Sequence, residues 1–181
     1  MVLPIVQYGH PVLRAKGKEI KEVTPTIRKL AADMLETMVD AEGVGLAAQQ
    51  VGHAIQLTVI DVQDSEERPS TMSIDGKLVN LAEQMPLILL NPKLELTKET
   101  EAGKEGCLSF PEMSATITRP GGVSVTATGL DGQEIRFSAT GLLARAVQHE
   151  TDHLHGVLFI DRMSSASRAS FAGKLKRLQR G

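Results

Sequence analysis

The sequence predicts an α+β fold, with mixed antiparallel β-sheets packed around a central helix and a further helix near each end. Three observations carry this expectation. An amphipathic helical pattern follows Pro25, runs rich in β-formers fill the middle of the chain, and helical patterns return after residue 140. The 181 residues are enough for one compact domain with a core, and the whole chain, 1–181, reads as a single domain.

Each element has a local cause. Thr24-Pro25 is an N-cap followed by proline at the first helical position. Ile27, Leu30, Ala31, Met34, Leu35 and Met38 then share one face, up to a stop near Gly43. Ile55 to Val62 is rich in β-formers and reads as a buried strand. Gln63 to Met85 is polar, holds Pro69 and Asp75-Gly76, and reads as an exposed hairpin or mobile loop. Leu87 to Leu90 and Lys93 to Leu96 read as strands. After Gly121-Gly122, so do Val123 to Thr128 and Ile135 to Ser138, joined by a turn at Asp131-Gly132. Thr140 to His155 is a helix ended by Gly156, and Val157 to Ile160 is a short strand-like run. Ser164 or Ser165 caps a last helix, about 164–180, with Ala169, Leu175 and Leu178 inward.

Composition narrows the function classes. Four Phe, one Tyr and no Trp are too few for a stacking platform on single-stranded nucleic acid. The single cysteine, Cys107, rules out an intramolecular disulfide framework and fits a reducing compartment. No basic n-region with a long apolar core opens the chain, and the apolar run Leu87 to Leu90 is far too short to span a bilayer. The expectation is a cytoplasmic protein without membrane contact. After Asp161 the chain carries six cations (Arg162, Arg168, Lys174, Lys176, Arg177 and Arg180) and no carboxylate. This is a solvated helix face or a contact surface for an acidic partner.

The chemistry is concentrated in His149-Glu150-Thr151-Asp152-His153. Histidines at i and i+4 lie about 40° apart around a helix, so both rings can reach one metal ion, with Glu150 beside them to carry protons. Two ligands leave the function open. The zinc-protease extension that ends in a third histidine has Phe159 in that place, and no acidic residue lies beyond Asp161. Two sources remain: Asp161, just past the strand-like run, and Cys107 in Glu105-Gly106-Cys107-Leu108-Ser109. Cys107 is the stronger, because a bound metal would hold the thiol deprotonated at neutral pH. Cys107, His149 and His153 leave a fourth position for water, the pattern of a catalytic rather than a structural site. One thiolate with two imidazoles suits zinc or iron(II) and accepts nickel or cobalt.

A glycine-rich segment, Gly43-Val44-Gly45-Leu46-Ala47-Ala48-Gln49-Gln50, keeps its backbone accessible to a pairing strand and lacks the ending of a phosphate loop. Taken alone, it also fits a helix C-cap and tight turn. With Glu105–Ser109 and Gln148–His153, in this order, it resembles the peptide deformylase family. Pro11-Val12-Leu13-Arg14 resembles the family's opening, and the likeness spans about Pro4 to Asp161. Gln49 departs from the proline of many members, Arg145 from the apolar residue of some, and the 63–85 segment is longer than in many.

The resemblance implies hydrolytic removal of formate from the N-formylmethionine of nascent peptides, with iron(II) favoured as the ion. It implies Glu150 as proton carrier, and Gln50 and the Leu108 N–H as oxyanion donors. Gly45 and its neighbour Val44 would pair with the peptide backbone, while Leu142 and Ala146 would wall a pocket for the methionine side chain. Glu105 and Arg119 would form a supporting ion pair. It also allows ribosome docking through the basic C-terminal helix. The competing reading is a zinc endopeptidase, which shares His149, Glu150 and His153 and has no need of Cys107.

Overall fold

The computed structural model describes residues 1–63 and 67–181. Thr24 Oγ1 accepts from the Ile27 N–H, and Pro25 starts α1 (Pro25–Asp40) as the capping signal predicts. The strands are β1 (Gly45–Ala47), β2 (Leu57–Ile60), β3 (Ser70–Ile74), β4 (Lys77–Leu78), β5 (Leu87–Leu96), β6 (Thr100–Cys107), β7 (Phe110–Pro120), β8 (Gly122–Thr128) and β9 (Glu134–Thr140). Between β4 and β5 lies α2 (Leu81–Gln84), and β9 leads into α3 (Gly141–Leu154). The chain closes with α4 (Ser165–Ser170) and α5 (Ala172–Arg180).

All strand pairs are antiparallel. Seven strands form one sheet in the order β1-β2-β5-β8-β9-β3-β4, while β6 and β7 form a separate two-stranded ribbon. The expected strands at 87–90 and 93–96 are one strand, with a register shift between Leu90 and Lys93. Within the expected exposed segment 63–85, the Asp75-Gly76 hairpin exists, and both turn residues have positive φ. Its strand β3 joins the main sheet beside β9, so this part is sheet rather than loop. Residues 64–66 of that segment lie outside the described residues.

The helix α3 is enclosed on nearly every side, with eleven of its 14 residues buried. Leu143, Ala144 and Val147 pack on the main sheet with Val125, Phe137 and Ala139. A second apolar cluster joins α1 to β1 and β2 through Met34, Met38, Leu46 and Val59. A third joins the ribbon to the chain end through Phe110, Ile117, Phe159 and Leu175. A helix this buried cannot be fixed by a single amphipathic stripe. Several of its other buried side chains are polar, and Arg145, Gln148 and His149 find their hydrogen-bond partners on the ribbon.

Two expectations near the end are corrected. Val157 to Ile160 is not a strand: Gly156 takes φ +75°, the Asp161 carboxylate accepts from the Leu158 N–H, and Phe159–Arg162 winds as a 3-10 turn. The last helix is two short helices that meet at Phe171, with Ser164 capping the first. Leu175 is buried and Leu178 half-buried, but Ala169 is exposed, in a first short helix that buries none of its residues. Among the described residues, no helix is long and apolar enough to cross a membrane.

Candidate active site

The site lies where α3 meets the ribbon, and its spacing follows from elementary geometry. Four residues of helix rise about 6 Å, and two residues of strand rise about 6.7 Å. Arg145, His149 and His153 recur every fourth residue on α3, while Gly103, Glu105 and Cys107 recur every second residue on β6. The two series meet rung by rung. The Arg145 guanidinium lies against Gly103, His149 Nδ1 is 3.0 Å from Glu105 Oε1, and His153 Nε2 is 3.4 Å from Cys107 Sγ. A register shift after Gly106 ends the regular pairing at the cysteine and re-aims it, as bulges do.

Cys107, His149 and His153 form the group that could hold a metal ion: one donor atom from each, all within 4.8 Å of one another. One sulfur and two ring nitrogens make three protein donors, the number that leaves a coordination position open in a catalytic site. Asp161, the other candidate, is engaged elsewhere, in a bidentate pair with Arg14 and with the Leu158 N–H. Phe159, at the place of a third histidine, is buried with its ring 5.9 Å from that of His149. His10, His53 and His155 are exposed and lie outside the donor group.

The two histidines sit in opposite electrostatic surroundings. Burial alone would lower His149, but the charges of Glu150, Cys107 and Glu105 outweigh it and hold the ring well above its usual pKa. Burial, His149, Arg119 and Arg14 all push His153 the other way, well below its usual value, so this ring is neutral and able to ligate. His153 Nδ1 and Glu150 Oε1 are buried without a hydrogen-bond partner.

Glu105 is the hub of the ribbon side. Burial would raise its pKa, but His149 and Arg119 reverse that and bring it to about 2. Arg119 donates twice to it, from Nε at 2.6 Å and Nη2 at 3.0 Å, which realises the expected ion pair. Arg119 Nη1 also reaches Asp152 Oδ2 at 2.9 Å, and Asp152 pairs with Arg162. Arg145 adds a third cation to the network, 2.7 Å from Glu105 Oε2. Sequence reasoning missed Asp152 and left Arg145 without a role. The spacing Gly103-x-Glu105-x-Cys107 against Arg145-x3-His149-x3-His153 was the signal that could have found this pairing.

On the other side of α3, Glu150 faces β1. A Cβ on Gly45 would lie 2.6 Å from Glu150 Oε2, so only glycine leaves that carboxylate its space. Burial raises Glu150 to about 7, helped by the charges of Glu105 and Asp152 and opposed by His149 and Arg119. Gln50 sits in the 3-10 turn after β1. Its Oε1 accepts from the Ala47 N–H at 3.0 Å, which fixes the amide so that Nε2 lies 3.2 Å from Ser109 Oγ and 3.6 Å from Cys107 Sγ. Ser109 is fully buried and was not anticipated.

These groups surround a cavity of about 680 Å³. Cys107, His149 and Glu150 border it, as do Gln50 and Leu108. Gly45 at the start of β1 and Val44 just before it line one side, and Leu142 and Ala146 line it from α3. The structure therefore brings every anticipated site residue to one place, with His153 fully buried at the donor group behind.

The whole chain has well-covered relatives. Residues 2–169 match the family model of polypeptide deformylases. Peptide deformylases of Methylacidiphilum infernorum and Opitutus terrae are 44% and 43% identical to it, covering 100% and 98% of this chain and 95% and 93% of their own. The crystal structure of peptide deformylase from Ehrlichia chaffeensis superposes with a TM-score of 0.84 at 35% identity, covering 98% of this chain and 96% of that one. A peptide deformylase from Synechococcus elongatus, solved in complex with actinonin, gives 0.80 at 37% identity, over 97% and 85%. None of these relatives favours the zinc endopeptidase reading. The chain belongs to the polypeptide deformylase family, metal-dependent hydrolases that remove N-formyl groups.

Proposed function

We propose that the cavity takes the N-formylmethionyl end of a nascent peptide, and that Cys107, His149 and His153 hold iron(II) beside it. The observation that carries this is the three-donor group with the unpartnered Glu150 carboxylate next to it, at the edge of an accessible cavity. The same donors accept zinc, nickel or cobalt. When bound, the ion supplies a polarised formyl oxygen and a water of lowered pKa.

The chain's own residues do the rest. Glu150 takes a proton at its carboxylate and returns it to the leaving amine nitrogen; a pKa near 7 suits both transfers at neutral pH. The Gln50 amide and the Leu108 N–H donate to the oxygen on which negative charge develops, each worth roughly 3–4 kcal/mol of barrier. β1 is an edge strand, with β2 on one side only, so Val44 and Gly45 can pair with an extended peptide. Leu142 and Ala146 receive the methionine side chain. Residues 1–181 act as one catalytic domain in the cytoplasm, where a reducing poise preserves the Cys107 thiol.

The test is formate release from an N-formylmethionyl peptide by protein reconstituted anaerobically with iron(II), compared with Cys107→Ala. Release that survives the loss of Cys107 overturns the reading. The basic chain end is proposed to dock on the ribosome. Lys174, Lys176, Arg177 and Arg180 are all exposed, whereas Leu175 between them is anchored in the core. Charge reversal of these four therefore tests docking better than deletion, and unchanged co-sedimentation at low salt would sink it.

A further inference from the structure

Arg145 has no part in the chemistry above, yet it is among the most constrained side chains near the site. It lies one helical turn before His149 and is buried. Its guanidinium makes three hydrogen bonds at once from a planar fork. Nη1 donates to Glu105 Oε2 at 2.7 Å and to the Ile117 carbonyl at 2.9 Å, and Nη2 donates to the Glu101 carbonyl at 3.0 Å. Those acceptors lie on both strands of the ribbon. Gly103, between Glu101 and Glu105, provides the seat: a Cβ there would come within 2.8 Å of the guanidinium carbon.

We propose that Arg145 is a positioning residue for the metal centre. It locks the ribbon that carries Cys107 to the helix that carries His149 and His153, at the separation a bound ion requires. The inference rests on the reading that these three residues hold the metal. Arg119 already neutralises Glu105 with a bidentate pair, so the carboxylate does not need Arg145 for charge balance. What Arg145 adds is direction. A carboxylate held only by Arg119 can pivot about that fork, whereas a second donor on Oε2 stops the pivot and leaves Oε1 aimed at His149 Nδ1. The two carbonyl contacts tie the same guanidinium to the ribbon backbone. The ladder thus has a rung that holds no ligand, one turn above the two that do.

The test compares wild-type protein, Arg145→Met, Arg145→Lys and Gly103→Ala, each loaded with Co²⁺. Affinity is read by chelator competition, and geometry by the thiolate charge-transfer and d–d bands. Arg145→Met is expected to weaken Co²⁺ binding about 10–100-fold, the range seen when an outer partner of a ligand is lost, and to shift the d–d bands. Arg145→Lys keeps the charge but not the fork, and should recover only part of the affinity. Gly103→Ala touches neither Glu105 nor a ligand, yet should move affinity and spectrum in the same direction. It also keeps the inference testable if Arg145→Met does not fold. Arg145→Met and Gly103→Ala proteins with wild-type affinity and bands would overturn the proposal. So would a loss confined to the thermal midpoint of the metal-free protein, which marks a merely structural role, or to KM, which marks a substrate contact. A wild-type protein with no thiolate–cobalt band would instead overturn the metal reading on which the inference rests.

Discussion

The two flanks of α3 each present a buried carboxylate to the donor group, and the two are in opposite states. Toward the ribbon, Glu105 receives Arg119 twice, Arg145 once and His149 once, so its acceptor positions are filled and its pKa falls to about 2. Toward β1, Glu150 has an oxygen with no partner, and burial takes it to about 7. Both side chains are almost closed to solvent, and Glu150 lies the deeper of the two, but depth alone does not lower Glu105. Partners do. A saturated carboxylate is fixed in charge and direction and can hold a neighbour in place. An unsaturated one, given room by Gly45, keeps its capacity to exchange a proton.

The sharpest way to break this contrast is to neutralise each carboxylate in turn. Glu150→Gln is expected to lower kcat for formate release by roughly 10²–10⁴-fold, because the proton carrier is lost, while metal content and thermal midpoint stay as in the wild type. Retained turnover would remove Glu150 from the chemistry. Glu105→Gln should do the reverse, acting on stability and metal retention first. It leaves Arg145 buried without its carboxylate partner and Arg119 with Asp152 alone, and removing one member of a buried pair costs about 3–5 kcal/mol. Denaturant unfolding of the metal-free protein measures this, and an unchanged midpoint would show that Glu105 is no hub.

The same contrast explains what could be read from the chain alone. The helix and its two histidines were legible because their period is local: i and i+4 carry their own geometry. The Thr24-Pro25 start of α1 and the Asp75-Gly76 turn were legible for the same reason. The ribbon was not. Strand prediction looks for alternating apolar residues, and the inward series of β6 is Gly103, Glu105 and Cys107, which are a seat, a hub and a ligand candidate. A strand whose buried face consists of functional groups looks like a loop. The 3-10 turn at Phe159–Arg162 was missed because its cause, Asp161 capping the Leu158 N–H, competes with the β-forming run before it. The break at Phe171 has no signal in the chain that we can identify.

A finer probe reaches the unsaturated flank without touching a charge. Gly45→Ala places a methyl 2.6 Å from Glu150 Oε2 and 2.8 Å from its Cγ, so the carboxylate must swing away from its present position. Displacements of this size cost on the order of 10²-fold in turnover. Metal affinity should hold, because no donor atom or partner of Glu105 is disturbed. If Gly45→Ala loses metal instead, the β1 flank is part of the frame and the division drawn here fails.

The smallest effect is expected at Asp161, a third carboxylate with full partners but no hydrogen bond to the donor group. Burial would raise it, but Arg14, the Leu158 N–H and Arg168 together hold it below the usual carboxylate range. A carboxylate with a lowered folded pKa adds stability that is present above the unfolded pKa and lost as pH falls through the folded one. Asp161→Asn should therefore lower stability at pH 7, by no more than about 1 kcal/mol for a pair this open to solvent. The gap to wild type should close as pH drops below about 4. Urea unfolding at pH 7 and pH 3 measures it, and a gap of equal size at both would assign the loss to packing rather than charge. Metal affinity and turnover should not move at either pH. If they do, saturation alone is enough to couple a carboxylate to the site, and the distinction between Glu105 and Glu150 would rest on distance rather than on partners.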